Sequence, residues 1–212
     1  MLMNEILDYL DELFPNPRCE LNYQKDYELL LAVVLSAQTT DKRVNQVTEV
    51  LFRQYPNLEA LSQAPLEDVM QILRPIGTFR KKAQFVIDIS ELLLVLYDGK
   101  VPNDRKALEA MPGVGRKTAN VVLSNLYDVP CIAVDTHVSR VSKRLKLAYQ
   151  TDDVLTIEKK LQKKIPEERW SKTHHQLVLF GRYYCKAANP SCETCRLKQR
   201  CRYYEKKVKA SK

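Results

Sequence analysis

Apolar residues recur every three or four positions along almost the whole chain, and few segments alternate apolar with polar residues. That periodicity predicts helices rather than strands. In MLMNEILDYLDELF it marks a short amphipathic helix over 3–14, stopped near Pro15 and Pro17. Asp26 is placed to cap a helix over YELLLAVVLSAQ, a segment so uniformly apolar that it reads as a buried central element. Asp41 starts the next helix, which runs to about Tyr55 and ends at Pro56. Pro65 takes a first helical position with Glu67 and Asp68 behind it, where the helix dipole favours acids, and that helix ends at Arg74–Pro75. Another runs from about Thr78 to Tyr97 and stops at Gly99. Asn103 caps a helix through Ala110, and MPGVG separates it from a helix running from Arg116 to about Tyr127. The short apolar segment VPCIAV (129–134) is an extended crossing between domains rather than a strand in a sheet. Asp135 caps a helix through about Leu147, and helices follow at about 153–165 and 171–180, the last ended by Gly181. A cysteine-rich coda occupies 185–201.

A chain of 212 residues with 45% apolar content can bury a real core, in one or two domains. Five glycines are too few for a turn-rich all-β design. The first residues lack a basic leader, and Glu5, Asp8, Asp11 and Glu12 interrupt their apolar positions, which excludes a signal peptide. No stretch approaches the roughly 20 uninterrupted apolar residues of a membrane span. The expectation is a soluble cytoplasmic protein.

Charge changes this picture at one end only. The net charge is +8, and residues 182–212 hold ten Lys/Arg against two Asp/Glu, so the remainder is neutral. A polyanion could dock there. The final EKKVKASK reads as a solvated basic tail, with 206–212 expected to be disordered.

Four of the six cysteines, Cys185, Cys192, Cys195 and Cys201, fall within 17 residues as C-x6-C-x2-C-x5-C. Thiolates so crowded repel one another unless a cation holds them, so the run points to metal rather than to disulfides. Zinc commonly uses two C-x2-C knuckles, and this chain has one. A four-thiolate iron–sulfur cluster tolerates uneven spacing, so spacing favours it modestly. Cys19 and Cys131 read as buried small hydrophobes.

LEAMPGVGRKTANVV is the second chemical signal. Helix, Pro-Gly-Val-Gly, helix forms a tight hairpin. Gly113 and Gly115 permit backbone angles that other residues avoid and leave peptide N–H groups uncovered at a helix N-terminus, which suits a DNA phosphate. Val114 can anchor the hairpin in the core. A phosphate-binding P-loop would need glycine directly before Lys117, and Arg116 stands there. Lys117 is either a phosphate contact or, with its amine neutral, a nucleophile able to form a Schiff base. For the second role desolvation or a neighbouring cation such as Arg116 must favour the neutral amine. Asp135, in AVDTHV, is a helix cap or a carboxylate at the mouth of an interdomain cleft. His137 reads as structural, and His174 and His175 lie on an amphipathic helix with no chemistry assigned.

LSAQTTD (35–41), MPGVGRKTAN (111–120), VDTHVSR (134–140) and the cysteine run together resemble the helix-hairpin-helix DNA glycosylase superfamily, and within it the endonuclease III family of the iron–sulfur branch. The resemblance spans nearly the whole chain. It implies an all-α, two-lobed fold. A six-helix barrel domain over 19–129 would carry the hairpin. Residues 1–18 and 130–212 would form a helical domain with the iron–sulfur loop at 185–201, and DNA would lie across the cleft. It implies one [4Fe-4S] cluster on Cys185, Cys192, Cys195 and Cys201, structural in role and presenting Lys186 to phosphates.

The resemblance also implies a bifunctional DNA glycosylase and abasic-site lyase of base excision repair. The damaged pyrimidine is flipped out of the duplex, because its glycosidic bond is out of reach in the stack. Lys117 attacks C1′ and displaces the base. The Schiff base acidifies the C2′ proton, and β-elimination breaks the strand 3′ to the lesion. Asp135 would activate Lys117 and stabilise the cationic sugar. Gln38 would enter the gap left by the base, and Gly113, Val114, Gly115 and Arg116 would grip the backbone. The partner is double-stranded DNA with damaged pyrimidines or abasic sites, bound by a monomer in the cytoplasm on chromosomal DNA, with no membrane.

The chain departs from the pattern at one turn. Relatives often carry a large apolar wedge after the Ile-Gly pair, and here Thr78 stands there with Phe79 next, which either substitutes as the wedge or belongs to the core. The adenine-mismatch branch has a catalytic Glu before the glutamine and no hairpin lysine. This chain has Val33 and Lys117 at those places and lacks the length for that branch's extra domain. A non-catalytic DNA-binding module with structural zinc is the rival from another class, and metal content separates the two.

Overall fold

The computed structural model describes residues 2–210. Among them are twelve α-helices and no β-strand. In chain order they are α1 (Leu2–Leu13), α2 (Asp26–Leu35), α3 (Asp41–Gln54), α4 (Leu58–Ser62), α5 (Leu66–Leu73), α6 (Phe79–Tyr97), α7 (Arg105–Glu109), α8 (Arg116–Tyr127), α9 (Thr136–Arg144), α10 (Val154–Lys164), α11 (Trp170–Leu179) and α12 (Arg202–Ala210). None of the described helices is long and apolar enough to cross a membrane. The chain divides into two compact units, residues 20–127 and residues 1–19 with 128–212.

In the unit 20–127, α2 is buried on all sides from Tyr27 to Leu35, as a run broken only by Glu28 requires. It packs against α3, α6 and α8, while α4 and α5 pack on α6. Each fully buried leucine contributes about 1.5–3 kcal/mol relative to exposure. Asp26 is the first helical residue rather than the cap. Glu28 folds back instead and accepts the Gln24 and Lys25 N–H groups at 2.7 and 3.3 Å. Likewise α7 is capped by Asp104, not Asn103: its carboxylate accepts the Ala107 N–H at 2.8 Å. Two adjacent residues that can both cap differ only in which reaches the third amide of the helix.

The other unit packs α1 against α11, with α9 in contact with α10, α11 and α12. Its core gathers Leu10, Ile132, Val141, Leu161, Leu177 and Phe180, among others. Asp11 ties α1 to α11 and the turn before it by hydrogen bonds from Arg169 (2.9 Å), Lys172 (2.7 Å) and Gln176 (2.8 Å). Residues 129–134 are neither helix nor strand.

Two expectations fail in this unit. Gly181 does not end α11, because the chain continues as a π turn over Phe180–Tyr184, closed by the Cys185 N–H on the Phe180 carbonyl at 2.6 Å. Glycine is required there for proximity: an added Cβ would lie 2.8 Å from His137 Cβ. The basic end is helical in α12 through Ala210 rather than disordered, and residues 211–212 lie outside the described ones. Lys146 binds Glu205 at 2.5 Å, and Arg202 donates to the Lys143 carbonyl at 3.3 Å, so tertiary contacts supply what its charge-rich sequence lacks.

Candidate active site and metal centre

The hairpin between α7 and α8 is built from the inside. Leu108, Met111 and Val114 are buried, and the Val114 N–H donates to the Met111 carbonyl at 3.1 Å, closing the turn. Arg105 on α7 bonds the buried Asn120 on α8, locking the two helices together. Gly113 has φ +76°, and a Cβ there would lie 2.5 Å from the Phe85 ring, so both backbone and space demand glycine. Gly115 corrects the expectation. Its φ is not in the left-handed region and a Cβ would meet nothing within 4 Å. Its smoothness faces outward, toward whatever approaches the first amides of α8.

Arg116 and Lys117 open α8 and are both exposed. Lys117 makes no hydrogen bond or ion pair with any described residue, so its amine is available to a ligand. A helix N-terminus offers unsatisfied N–H groups beside it.

Asp135 caps α9, its Oδ1 accepting the Val138 N–H at 2.8 Å. Its Oδ2 takes no bond from the described residues. One half-buried carboxylate thus serves as a cap and keeps a lone pair free. His137 is structural, with Nδ1 3.1 Å from Arg140 Nη2.

Two turns in the unit 20–127 carry the other predicted DNA contacts. Gln38, between α2 and α3, is exposed at φ +55°, and Thr78, before α6, is exposed at the same φ. Left-handed backbone disfavours both residue types, and such strain clusters at functional sites. Phe79 is half-buried with the Arg80 guanidinium 4.8 Å from its ring centre. Sequence reading missed what holds these turns. Buried Lys82 donates to the Ala37 carbonyl (2.7 Å) and Thr39 Oγ1 (3.1 Å), and Arg43 donates to the Pro75 carbonyl (3.2 Å). Burial pulls the Lys82 pKa below its ordinary value. The available signal was position: Lys82 falls on the buried stripe of α6 with Ala83, Val86 and Ile89.

The four clustered cysteines are all free thiols and line one cavity with Tyr184 and Tyr203. Burial and the neighbouring thiols push the Cys195 pKa up to about 11, and Cys192 rises for the same reasons. Among the described residues no three His, Cys, Asp or Glu are gathered closely enough to hold a single metal ion. Two arginines of α9, also missed in the sequence, clamp the loop. Arg144 donates to Cys185 Sγ (3.2 Å) and to the carbonyls of Lys186 (2.7 Å) and Ala187 (3.1 Å), while Arg140 donates to the carbonyls of Gly181 (2.6 Å) and Cys185 (3.2 Å). Lys186 therefore has a fixed backbone and an exposed ammonium. Of the two remaining cysteines, Cys131 is buried as expected, whereas Cys19 is only half-buried.

Residues 31–167 match the family of HhH-GPD superfamily base excision DNA repair proteins, which defines the class of the fold and hairpin. The chain is 49% identical to endonuclease III of Bacillus subtilis (strain 168) over 203 residues, 96% of this chain and 93% of that protein. It superposes on a solved non-covalent endonuclease III–DNA complex with TM-score 0.94 and 48% identity, covering 98% of this chain and 97% of the other. A trapped endonuclease III–DNA covalent intermediate gives TM-score 0.93 and 48% identity, covering 97% and 98%. The chain belongs to the endonuclease III family.

Proposed function

We infer that the chain is a bifunctional DNA glycosylase and abasic-site lyase of base excision repair, acting on oxidised pyrimidines in duplex DNA. One observation carries the reading: an exposed, unpartnered lysine opens the second helix of a glycine hairpin, in a family whose relative has been trapped as a covalent intermediate with DNA. Lys117 Nζ attacks C1′ of the flipped nucleotide, the C1′–N bond breaks, and the base leaves. The C1′–O4′ bond then breaks, O4′ leaving as a hydroxyl as the sugar ring opens, and gives a Schiff base between Nζ and C1′. The C2′ proton then departs and the C3′–O bond breaks. Asp135 Oδ2 takes the proton from Lys117 and stabilises the positive sugar. Gly113, Val114, Gly115 and Arg116 bind the backbone phosphate, and Lys186 a second one. Gln38 fills the space of the flipped base, and Thr78, the residue at the tip of its turn, wedges the opposite strand, with Phe79 supporting it. Buried Val33 sits where a mismatch glycosylase would need a carboxylate, which speaks against that branch.

The cysteine loop fits a [4Fe-4S] cluster better than zinc. The four thiols line one cavity, and their spacing offers only one of the two C-x2-C knuckles that zinc commonly uses. Cys185, Cys192, Cys195 and Cys201 would hold the cluster, whose contribution is to cross-link the loop from its centre. Residues 20–127, with helices α2–α8, would serve as the barrel domain expected over 19–129, and the rest as the cluster domain. The protein works as a monomer in the cytoplasm, on chromosomal DNA.

The test incubates the protein with duplex DNA bearing one oxidised pyrimidine, adds borohydride, and looks for a covalent adduct. The wild type gives an adduct and Lys117→Ala gives none. A wild type with iron and sulfide in place that binds the duplex without forming an adduct overturns the lyase reading.

A further inference from the structure

Lys82 is 3% exposed, yet no carboxylate among the described residues pairs with it. A buried unpaired ammonium is costly, and an apolar side chain would suit the same stripe of α6 better for stability alone. What the ammonium contacts is specific. It grips the Ala37 carbonyl and the Thr39 hydroxyl, the residues on either side of Gln38. Gln38 holds φ +55°, a conformation its Cβ disfavours, and its own side chain makes no hydrogen bond to a described residue. The turn therefore cannot owe its shape to Gln38. A charge–dipole bond on one flank and a charge-assisted bond on the other fix the peptides that aim its Cα–Cβ bond.

We propose that Lys82 is a positioning residue for lesion recognition: by pinning Ala37 and Thr39 it holds Gln38 in the left-handed conformation in which the side chain enters the DNA stack. The inference rests on the role given to Gln38 above. Holding the turn before DNA arrives removes the ordering cost from binding, and losing that preorganisation lowers affinity without removing any contact. Lys82 itself touches no DNA and is separate from the Schiff-base amine.

The test is a double-mutant cycle on Lys82→Met and Gln38→Ala. Binding is measured at fixed salt to a duplex carrying a stable abasic analogue opposite 2-aminopurine, and to the undamaged duplex. The aminopurine fluorescence reports insertion beside the estranged base. Each single variant binds the abasic duplex on the order of tenfold more weakly, and the double variant binds no more weakly than Gln38→Ala. Lys82→Met keeps its thermal midpoint and its affinity for undamaged DNA, and Lys82→Arg recovers part of the loss. Equal binding by Lys82→Met and wild type, additive losses in the double variant, or equal losses on damaged and undamaged DNA would each overturn the proposal. Should Lys82→Met not fold, Thr39→Val enters the same cycle under the same criteria. If Gln38→Ala itself behaves like wild type, the assigned role of Gln38 fails. If Gln38→Ala is impaired and Lys82→Met is not, only the positioning role fails.

Discussion

The hairpin at 111–115 and the cysteine loop at 185–201 are both irregular segments assigned to DNA, and they are held in opposite ways. The hairpin is stabilised from within its own unit by apolar contact: Val114 and Met111 are buried, and Gly113 lets Phe85 close over the turn. The cysteine loop encloses thiols whose ionisation is disfavoured by burial and then by one another, and Arg140 and Arg144 hold it from outside. One segment is closed by its own apolar contacts. The other lines a cavity with four thiols, where the cluster proposed above would sit.

That contrast can be broken most severely at the loop. Cys195→Ala should abolish iron and sulfide incorporation, open 185–201 to protease, and lower adduct formation by at least about tenfold, because the metal's binding energy is also the loop's folding energy. Iron analysis and limited proteolysis read it; retention of iron and protease resistance would mean that the arginine clamp suffices.

The next effect separates two glycines in one motif. Gly113→Ala places a Cβ against Phe85 at a positive φ and should cost about 2 kcal/mol, several degrees in thermal midpoint. Gly115→Ala should leave the midpoint unchanged, since open space surrounds it, and weaken DNA binding instead. A stability loss at Gly115 would show that the hairpin has no separable binding surface.

The smallest effect concerns Asp11, which helps dock α1 in the unit that carries the loop. Burial alone would raise its pKa, but hydrogen bonds from Lys172, Gln176 and Arg169 bring it down to about 2, below the ordinary 3.8. A depressed carboxylate stabilises fully above its unfolded pKa and loses that contribution as pH falls through the folded one. Wild type should therefore lose more stability between about pH 4 and pH 2 than Asp11→Asn, followed by thermal melts across that range.

Local signals gave most helices and the main chemistry. Asp135 sits where its cap was expected, Asp41 starts α3 as expected, and the buried run of α2 followed from its composition. The all-helical class and the family were legible in MPGVGRKTAN, VDTHVSR and the cysteine spacing. What escaped was set by partners distant in sequence. Lys82 reaches back to Ala37, Arg144 reaches forward to Cys185, and α12 is held by Lys146. Each looked like one more surface charge, because nothing local marks where a long side chain ends. The choice between the adjacent Asn103 and Asp104 failed, and the short α4 went unseen, for a different reason: neighbouring turns of similar propensity differ by less than tertiary packing supplies.

The π turn at Phe180–Tyr184 has a consequence for angular phase. A helix advances about 100° per residue, so the one extra residue in this turn rotates everything beyond it by that amount relative to α11. Cys185 follows directly and faces the cavity with that rotation included. Deleting one residue from 180–184 would restore regular helical bonding and point the first thiol away from its three companions. The irregular turn works as a phase shifter, converting the periodicity of a packed helix into the bearing that the cysteine loop requires.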